Sequence, residues 1–269
     1  MTDYHRIHAD ACEAGELYYN DPTTGYRVFT AISLEKRESC CGCGCRHCPY
    51  GHTNVHASNR KDLIHDPWVL GDHPGEPCDI LFWSGGKDSY LAYRALQREN
   101  KRPVALCTTY DGRSEFVAHQ NISVHVIKEQ AKLLGLPLLL IPLYPEFEYL
   151  DRIELGVRVL QRLAKVERFV FGDLHLEHIR DWREDQLSQP FSNIELYFPL
   201  WNVPYEDLMD DLFQSNVTCD ISSIASEECA SLISVGDRYD QDLIAKLPKS
   251  VDVFGENGEF HTVVRVPPT

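Results

Sequence analysis

The chain has 269 residues, of which 43% are hydrophobic and 25% charged, and 26 basic residues face 41 acidic ones for a formal charge of −15. That length builds one large domain or two smaller ones around an ample core, and no run of about 18 apolar residues is present to cross a membrane. So acidic a surface disfavours indiscriminate binding to a phosphate backbone and leaves RNA only a local basic patch.

The first residues, MTDYHRIHADACEAGELYY, lack the apolar stretch of a secretory signal, so the expected compartment is the cytoplasm. The next informative stretch is ESCCGCGCRHCPYGH, residues 38–52, where five cysteines fall within nine residues: Cys40, Cys41, Cys43, Cys45 and Cys48. Disulfide frameworks spread their cysteines along short secreted chains, whereas clustered thiols among glycines suit a metal. The expected occupant is Zn²⁺ or an iron–sulfur cluster, with His47 and His52 as possible extra ligands. Three prolines and two glycines in DPWVLGDHPGEPC, 66–78, then suggest a linker.

Beyond it, strand-like and helix-like segments alternate. CDILFW (78–83) has the apolar run of a buried strand, and SYLAYRALQREN (89–100) carries Leu91, Ala92, Ala95 and Leu96 on one helical stripe. VALCTTY (104–110) predicts a second strand. Residues 123–135 predict a helix closed by Gly135, and LPLLLIPL (136–143) a third strand. Residues 145–168 scan as one long helix, and FVFGD (169–173) as a fourth strand. Helices follow at 205–216 and 241–247, with a strand at 217–226. Alternation of this kind predicts an α/β fold, a doubly wound parallel sheet whose ligands bind beyond the carboxyl ends of the strands. The expected organisation is a cysteine-rich metal module at 1–75, a nucleotide-binding core at 76–175, and an α+β substrate subdomain at 176–269.

Between the first strand and its helix lies Ser84-Gly85-Gly86-Lys87-Asp88-Ser89. Glycines admit phosphate oxygens close to the backbone, the helix start offers N–H groups, and Lys87 adds a positive charge. The spacing fits neither G-x-x-x-x-G-K-[ST] nor G-x-G-x-x-G. Asp88 beside phosphates requires a bridging cation, so Mg²⁺ is expected.

SGGKDS resembles the pyrophosphate-binding loop of the N-type ATP pyrophosphatases, whose fold is that of the adenine-nucleotide α-hydrolases. TTYDGRSEFVAHQ (108–120), LGLPL (134–138), VFGDLHLEHIRDWREDQL (170–187), FPLW (198–201) and DVFGENGEFHT (252–262) follow in order. Together they resemble the diphthine–ammonia ligase family, and most closely its bacterial relatives of mostly unassigned substrate. The resemblance spans roughly residues 79–265. It implies an ATP-dependent ligase that adenylates a carboxylate and forms an amide with ammonia or an amine, releasing AMP and pyrophosphate. It also implies that Ser84, Gly85, Gly86, Lys87, Asp88, Ser89, Thr108 and Gly172 bind the nucleotide. Lys87, Asp173, Arg180, Glu184, Glu256, Glu259 and His261 are the expected catalytic residues. Asp111, Arg113 and His119 follow the second strand within reach of the same site. Phe254 stands where many relatives have cysteine, which disfavours a covalent thioester there.

Residues 18–52 resemble a small cysteine-rich family of unknown function marked by a CCG-x-GCRHCPY string. Its cysteines keep open an alternative, iron–sulfur-dependent thiolation of RNA, and a further one, a nucleotide-binding protein without turnover.

Overall fold

The computed structural model describes residues 3–60, 63–100 and 102–268. The N-terminal part holds helix α1 (Asp3–Glu13), a two-stranded antiparallel ribbon of β1 (Tyr18–Asn20) and β2 (Arg27–Phe29), and short helices α2 (Ala31–Glu35) and α3 (Ala57–Arg60). Strand β3 (Trp68–Leu70) follows. The core then runs β4 (Cys78–Phe82), α4 (Lys87–Glu99), β5 (Val104–Asp111), β6 (Phe116–Val117), β7 (Ile122–Ser123), α5 (Val124–Leu134), β8 (Leu138–Leu143), α6 (Tyr149–Gln161), β9 (Val166–Val170), α7 (Glu177–Ser188) and β10 (Glu195–Tyr197). The last part holds α8 (Tyr205–Phe213), β11 (Thr218–Ile224), α9 (Glu227–Ala230), α10 (Gln241–Ile244) and β12 (Phe260–Arg265).

Five strands pair in parallel in the order β10-β9-β4-β5-β8. The edge strand β3 is antiparallel to β8, and the β6–β7 ribbon extends from the end of β5. The expected α/β doubly wound sheet is therefore present, mixed at its margins. Alternate residues sort the strands onto two faces. Leu81, Leu106, Leu138, Leu140 and Val170 pack with Leu91, Leu96, Ile127 and Ala131 of α4 and α5. Their neighbours Ile80, Ala105, Cys107, Leu139, Ile141 and Phe169 pack with Ile153, Val157 and Leu160 of α6 and Leu187 of α7. Both faces are apolar, so these strands read as continuous hydrophobic runs.

Two expectations need correction. The predicted helix 145–168 ends at Gln161, and Val166–Val170 is a central strand. Arg168 gave that stretch its helical look. In the strand it is buried, donates to both oxygens of Asp79 at 2.6 and 3.0 Å, and reaches Glu99 at 3.3 Å. The other correction concerns 66–78. Its Trp-Val-Leu triplet is short but apolar, and it pairs into the main sheet instead of spanning open solvent. The N-terminal part is further tied to α6: Arg158 bonds Asp10 and Glu13, and the Arg152 guanidinium donates to the His65 carbonyl at 2.6 Å.

Asp79 is 1% exposed; Arg168 donates hydrogen bonds to both its oxygens, while Arg102 stands farther off at 4.0 Å. Arg168→Ala is expected to cost about 3–5 kcal/mol, because it strands a buried carboxylate. Urea unfolding should show this as a lower midpoint at unchanged slope.

Candidate functional site

In the order β8-β5-β4-β9-β10 the chain first winds one way from β4 and then the other. A crevice opens at such a reversal, beyond the strand ends. Two loops border it: Trp83–Gly86 after β4, and Phe171–Asp173 after β9.

The first loop is built by close approach. Gly85 has φ +84°, and an added Cβ would lie 2.7 Å from the Ile127 side chain. A Cβ on Gly86 would lie 2.9 Å from the Thr262 carbonyl, so both positions require glycine. The Ser84 hydroxyl accepts from the Gly86 N–H at 3.3 Å, and the Ser89 hydroxyl donates to the Gly86 carbonyl at 3.0 Å. Gly172 serves the second loop similarly, because a Cβ there would meet the Asp88 carbonyl at 2.7 Å.

Strand β12 locks the first loop from the far end of the chain. Thr262 Oγ1 accepts from the Lys87 N–H at 3.1 Å, and the Val264 N–H donates to the Gly85 carbonyl at 2.9 Å. Buried Gln130 completes the lock. Its amide donates to the carbonyls of Gly85 (3.0 Å) and Val264 (2.7 Å), and its Oε1 accepts from Trp83 Nε1 at 2.8 Å. Gln130 was not singled out in the sequence. A lone glutamine on a helix carries no signal until its long-range partners are known.

The cleft beyond these loops has two continuous lobes that share Asp88, Gln120, Asp173 and Glu256. Lys87, Gly255, His261 and Thr262 border one lobe, and Ser84, Ser89, Thr109, His119, Gly172 and Arg183 the other. Lys87 is 2% exposed. Its ammonium donates to the Phe254 carbonyl at 2.5 Å and to Asp88 Oδ2 at 3.0 Å. The other Asp88 oxygen is buried with no hydrogen-bond partner. Burial pushes the Asp88 carboxyl up, with Lys87 opposing. Glu256 is pushed up to about 8, by burial first and then by the charge of Asp88. Burial and the charge of Lys87 hold His261 down. An unpartnered carboxylate oxygen beside further acidic groups fits a hard divalent cation such as Mg²⁺, which takes oxygen ligands.

Several expected residues sit elsewhere. The hydroxyl of Thr108 is buried and donates to the Trp83 carbonyl at 2.6 Å, and its neighbour Thr109 borders the cleft. On α7, Ile179 and Arg183 face the cleft. Arg180 and Glu184 lie on the next face, paired with each other at 2.7 Å and partly exposed, with Arg180 over the rings of Phe198 and Trp201. Arg183 instead grips Asp173 through two bonds of 2.5 and 3.0 Å. Glu259 precedes β12, and its oxygens accept from the amides of Asp252 and Asn257, so it shapes the 252–259 loop and does not face the cleft. Asp111 caps its own turn, and Arg113 pairs with Glu146.

The five N-terminal cysteines lie apart from this cleft. Cys41 and Cys45 have sulfurs 3.4 Å apart, and Cys40 and Cys48 3.8 Å apart. These spacings are near the roughly 3.8 Å edge of a zinc–thiolate tetrahedron. Among the described residues, however, no three of these sulfurs lie within 4.8 Å of one another, and Cys43 turns to the Cys41 carbonyl. The cluster is compatible with metal binding through its two pairs. The Cys43 amide and the Cys45 thiol bring Cys41 down to about 7, which makes it the readiest thiolate. His52 lies against His65, with 3.1 Å between their Nδ1 atoms, and against the Cys45 carbonyl.

Two family models match separate parts of the chain. Residues 79–188 match the model of the diphthamide synthase N-terminal domain, and the match points to the PP-loop ATP pyrophosphatases for that part of the chain. Residues 7–54 match a family of unknown function, DUF5522.

Gln130→Leu should test the lock. It leaves the Trp83 indole and the Val264 carbonyl without the partner Gln130 supplies, at about 1–3 kcal/mol for each stranded group, and leaves the Gly85 carbonyl with the Val264 N–H alone. The expected result is a clearly lower unfolding midpoint, together with weaker ATP binding in calorimetry at temperatures where the variant is folded.

Proposed function

We propose that this chain, with an ATP-using core that matches the diphthamide synthase N-terminal domain, is a ligase joining a carboxylate to ammonia or an amine. The carboxylate attacks the α phosphorus of ATP, giving an acyl-adenylate and pyrophosphate. The nitrogen then attacks the acyl carbon, giving an amide, AMP and one proton. One observation carries this reading: residues of the phosphate loop, with Lys87, and Glu256, from distant parts of the chain, border a single cleft.

Each group has a role its position supports. Ser84, Gly85, Gly86 and Ser89 cradle the leaving pyrophosphate. Lys87 releases Asp88 and the Phe254 carbonyl to meet the charge growing there. Asp88 and Asp173 would hold Mg²⁺, which neutralises phosphate charge when bound. Arg183 fixes the orientation of Asp173. Close packing at Gly172 brings the second loop against the start of α4, on the nucleotide side. Glu256 has a proton affinity suited to receiving the proton lost by the nitrogen near neutral pH, and His261 and Gln120 border the acceptor end. Phe254 offers Lys87 its carbonyl and its ring but no thiol, so no covalent thioester is invoked. Sulfur transfer to RNA finds less support, since none of Cys40, Cys41, Cys43, Cys45 and Cys48 borders the cleft. We assign those thiols to a clasp around Zn²⁺.

Lys87→Ala should lower pyrophosphate release from ATP, ammonium and a panel of carboxylates by about 10²–10³-fold. An unchanged rate would refute the loop assignment. ATP binding without AMP formation for every acceptor would favour a non-catalytic role.

Glu256 must be ionised to accept a proton, and below about 8 it is mostly protonated. The value of kcat/KM should therefore rise with pH through about 8 and then level off. Glu256→Gln should remove that limb, and higher Mg²⁺ should move it to lower pH. Acid-labile sulfide on anaerobically purified protein is expected to be absent; iron with matching sulfide would restore the RNA reading.

A further inference from the structure

A second cavity lies between the N-terminal part and α6, and the ligase chemistry does not use it. Much of its wall is apolar, with Ala9, Leu155, Val159 and Leu163, but at one place His5, His47 and Asp66 converge. They come from α1, the cysteine segment and the approach to β3. One ligand atom from each lies within 4.8 Å of the other two, and all three residues are buried. His5 is 2% exposed: its Nδ1 and Asp66 Oδ1 face each other at 2.9 Å and have no other partner, and its Nε2 has no partner at all. Leaving such atoms unpartnered in an apolar interior is unfavourable.

We propose that His5, His47 and Asp66 form a nitrogen–oxygen site for one divalent first-row metal ion, separate from the nucleotide cleft and from the cysteine pairs. An ion there gives a partner to each orphaned group it binds. Two imidazoles and a carboxylate suit Zn²⁺ and the borderline ions around it, not the soft ions that thiolates select.

The surroundings prepare the ligands. His47 points Nδ1 at Asp66, while its Nε2 lies 2.8 Å from the Tyr19 hydroxyl. With Nδ1 on the metal, Nε2–H donates to Tyr19, whose oxygen also accepts from Arg46 at 3.3 Å. Outer partners of this kind fix the tautomer and orientation of a ligating histidine. His8 is excluded from the ligand set by its own bond. Its Nε2 accepts from the Ala31 N–H at 3.0 Å, so Nδ1 carries the proton. It instead stacks on His47, with ring centroids 3.6 Å apart and planes 4° apart, and holds that ring in place. Cys48 borders the same cavity, but its sulfur faces Cys40. Three protein ligands leave a coordination position open, which closed structural zinc sites do not. All three residues line the cavity, so water or a small anion there would complete the ligand set.

The test is anomalous diffraction from crystals of the full wild-type chain grown with Zn²⁺, with data on both sides of the zinc edge. A peak about 2.0–2.2 Å from His5, His47 and Asp66 would establish the site. Zinc found only at the thiolates would overturn it. Solution zinc titration gives an independent check. Asp66→Asn and His5→Gln should each lose one bound equivalent and keep the remainder. Full zinc content in both folded variants would also overturn the proposal.

Discussion

The nucleotide loop does not stand by itself. Its backbone is pinned by a strand 175 residues away, through Thr262 on the Lys87 amide, and by Gln130, which joins Gly85 to Val264. A glycine-rich loop has many conformations to lose, and a phosphate site needs one of them held in advance. The sheet fixes where the loop starts and α4 where it ends, but its shape in between comes from β12 and α5. The same strand carries His261 and follows the loop that carries Glu256, so the contact that shapes the phosphate side also sets the distance to the acceptor side.

The cleft gathers like charges and keeps them half-buried. Asp88, Asp173 and Glu256 share its surface, and Lys87 and Arg183 answer two of them directly. Burial first, and then the charge of Asp88, raises the proton affinity of Glu256, and one oxygen of Asp88 stays unpartnered. Both facts describe a site balanced for a visiting cation. Elsewhere buried charges are closed off, as with Arg168 between Asp79 and Glu99, and that difference separates a binding surface from a structural one.

Much of the sheet was legible because its strands are buried on both faces and read as plain apolar runs. The SGGKDS loop was legible because its residue types and its strand–loop–helix setting agree. Val166–Arg168 was not, since a strand containing an arginine scans like the end of the preceding helix until Asp79 is placed opposite. Thr108 and Thr109 differ only in which side of a strand they occupy, and the start of that strand sets the parity. Arg180, Arg183 and Glu184 needed the roll of α7 about its axis, which local spacing leaves open. Glu259 looked like a reactive group because its work, accepting two backbone amides nearby, depends on a turn with no fixed pattern. The convergence of His5, His47 and Asp66 from three separate segments had no local signature.

The reach from Lys87 to Thr262 also bears on the order in which the protein becomes competent. Chains emerge from the ribosome N-terminal part first, and early segments fold before late ones exist. Strands β4, β5, β8 and β9 can assemble while β12 is still unmade, so the growing chain carries a formed sheet with an unfinished phosphate loop. The pin arrives only with β12. ATP binding thereby becomes a property of a chain that already includes β12, and a polypeptide truncated before Thr262 would keep its sheet but not its nucleotide.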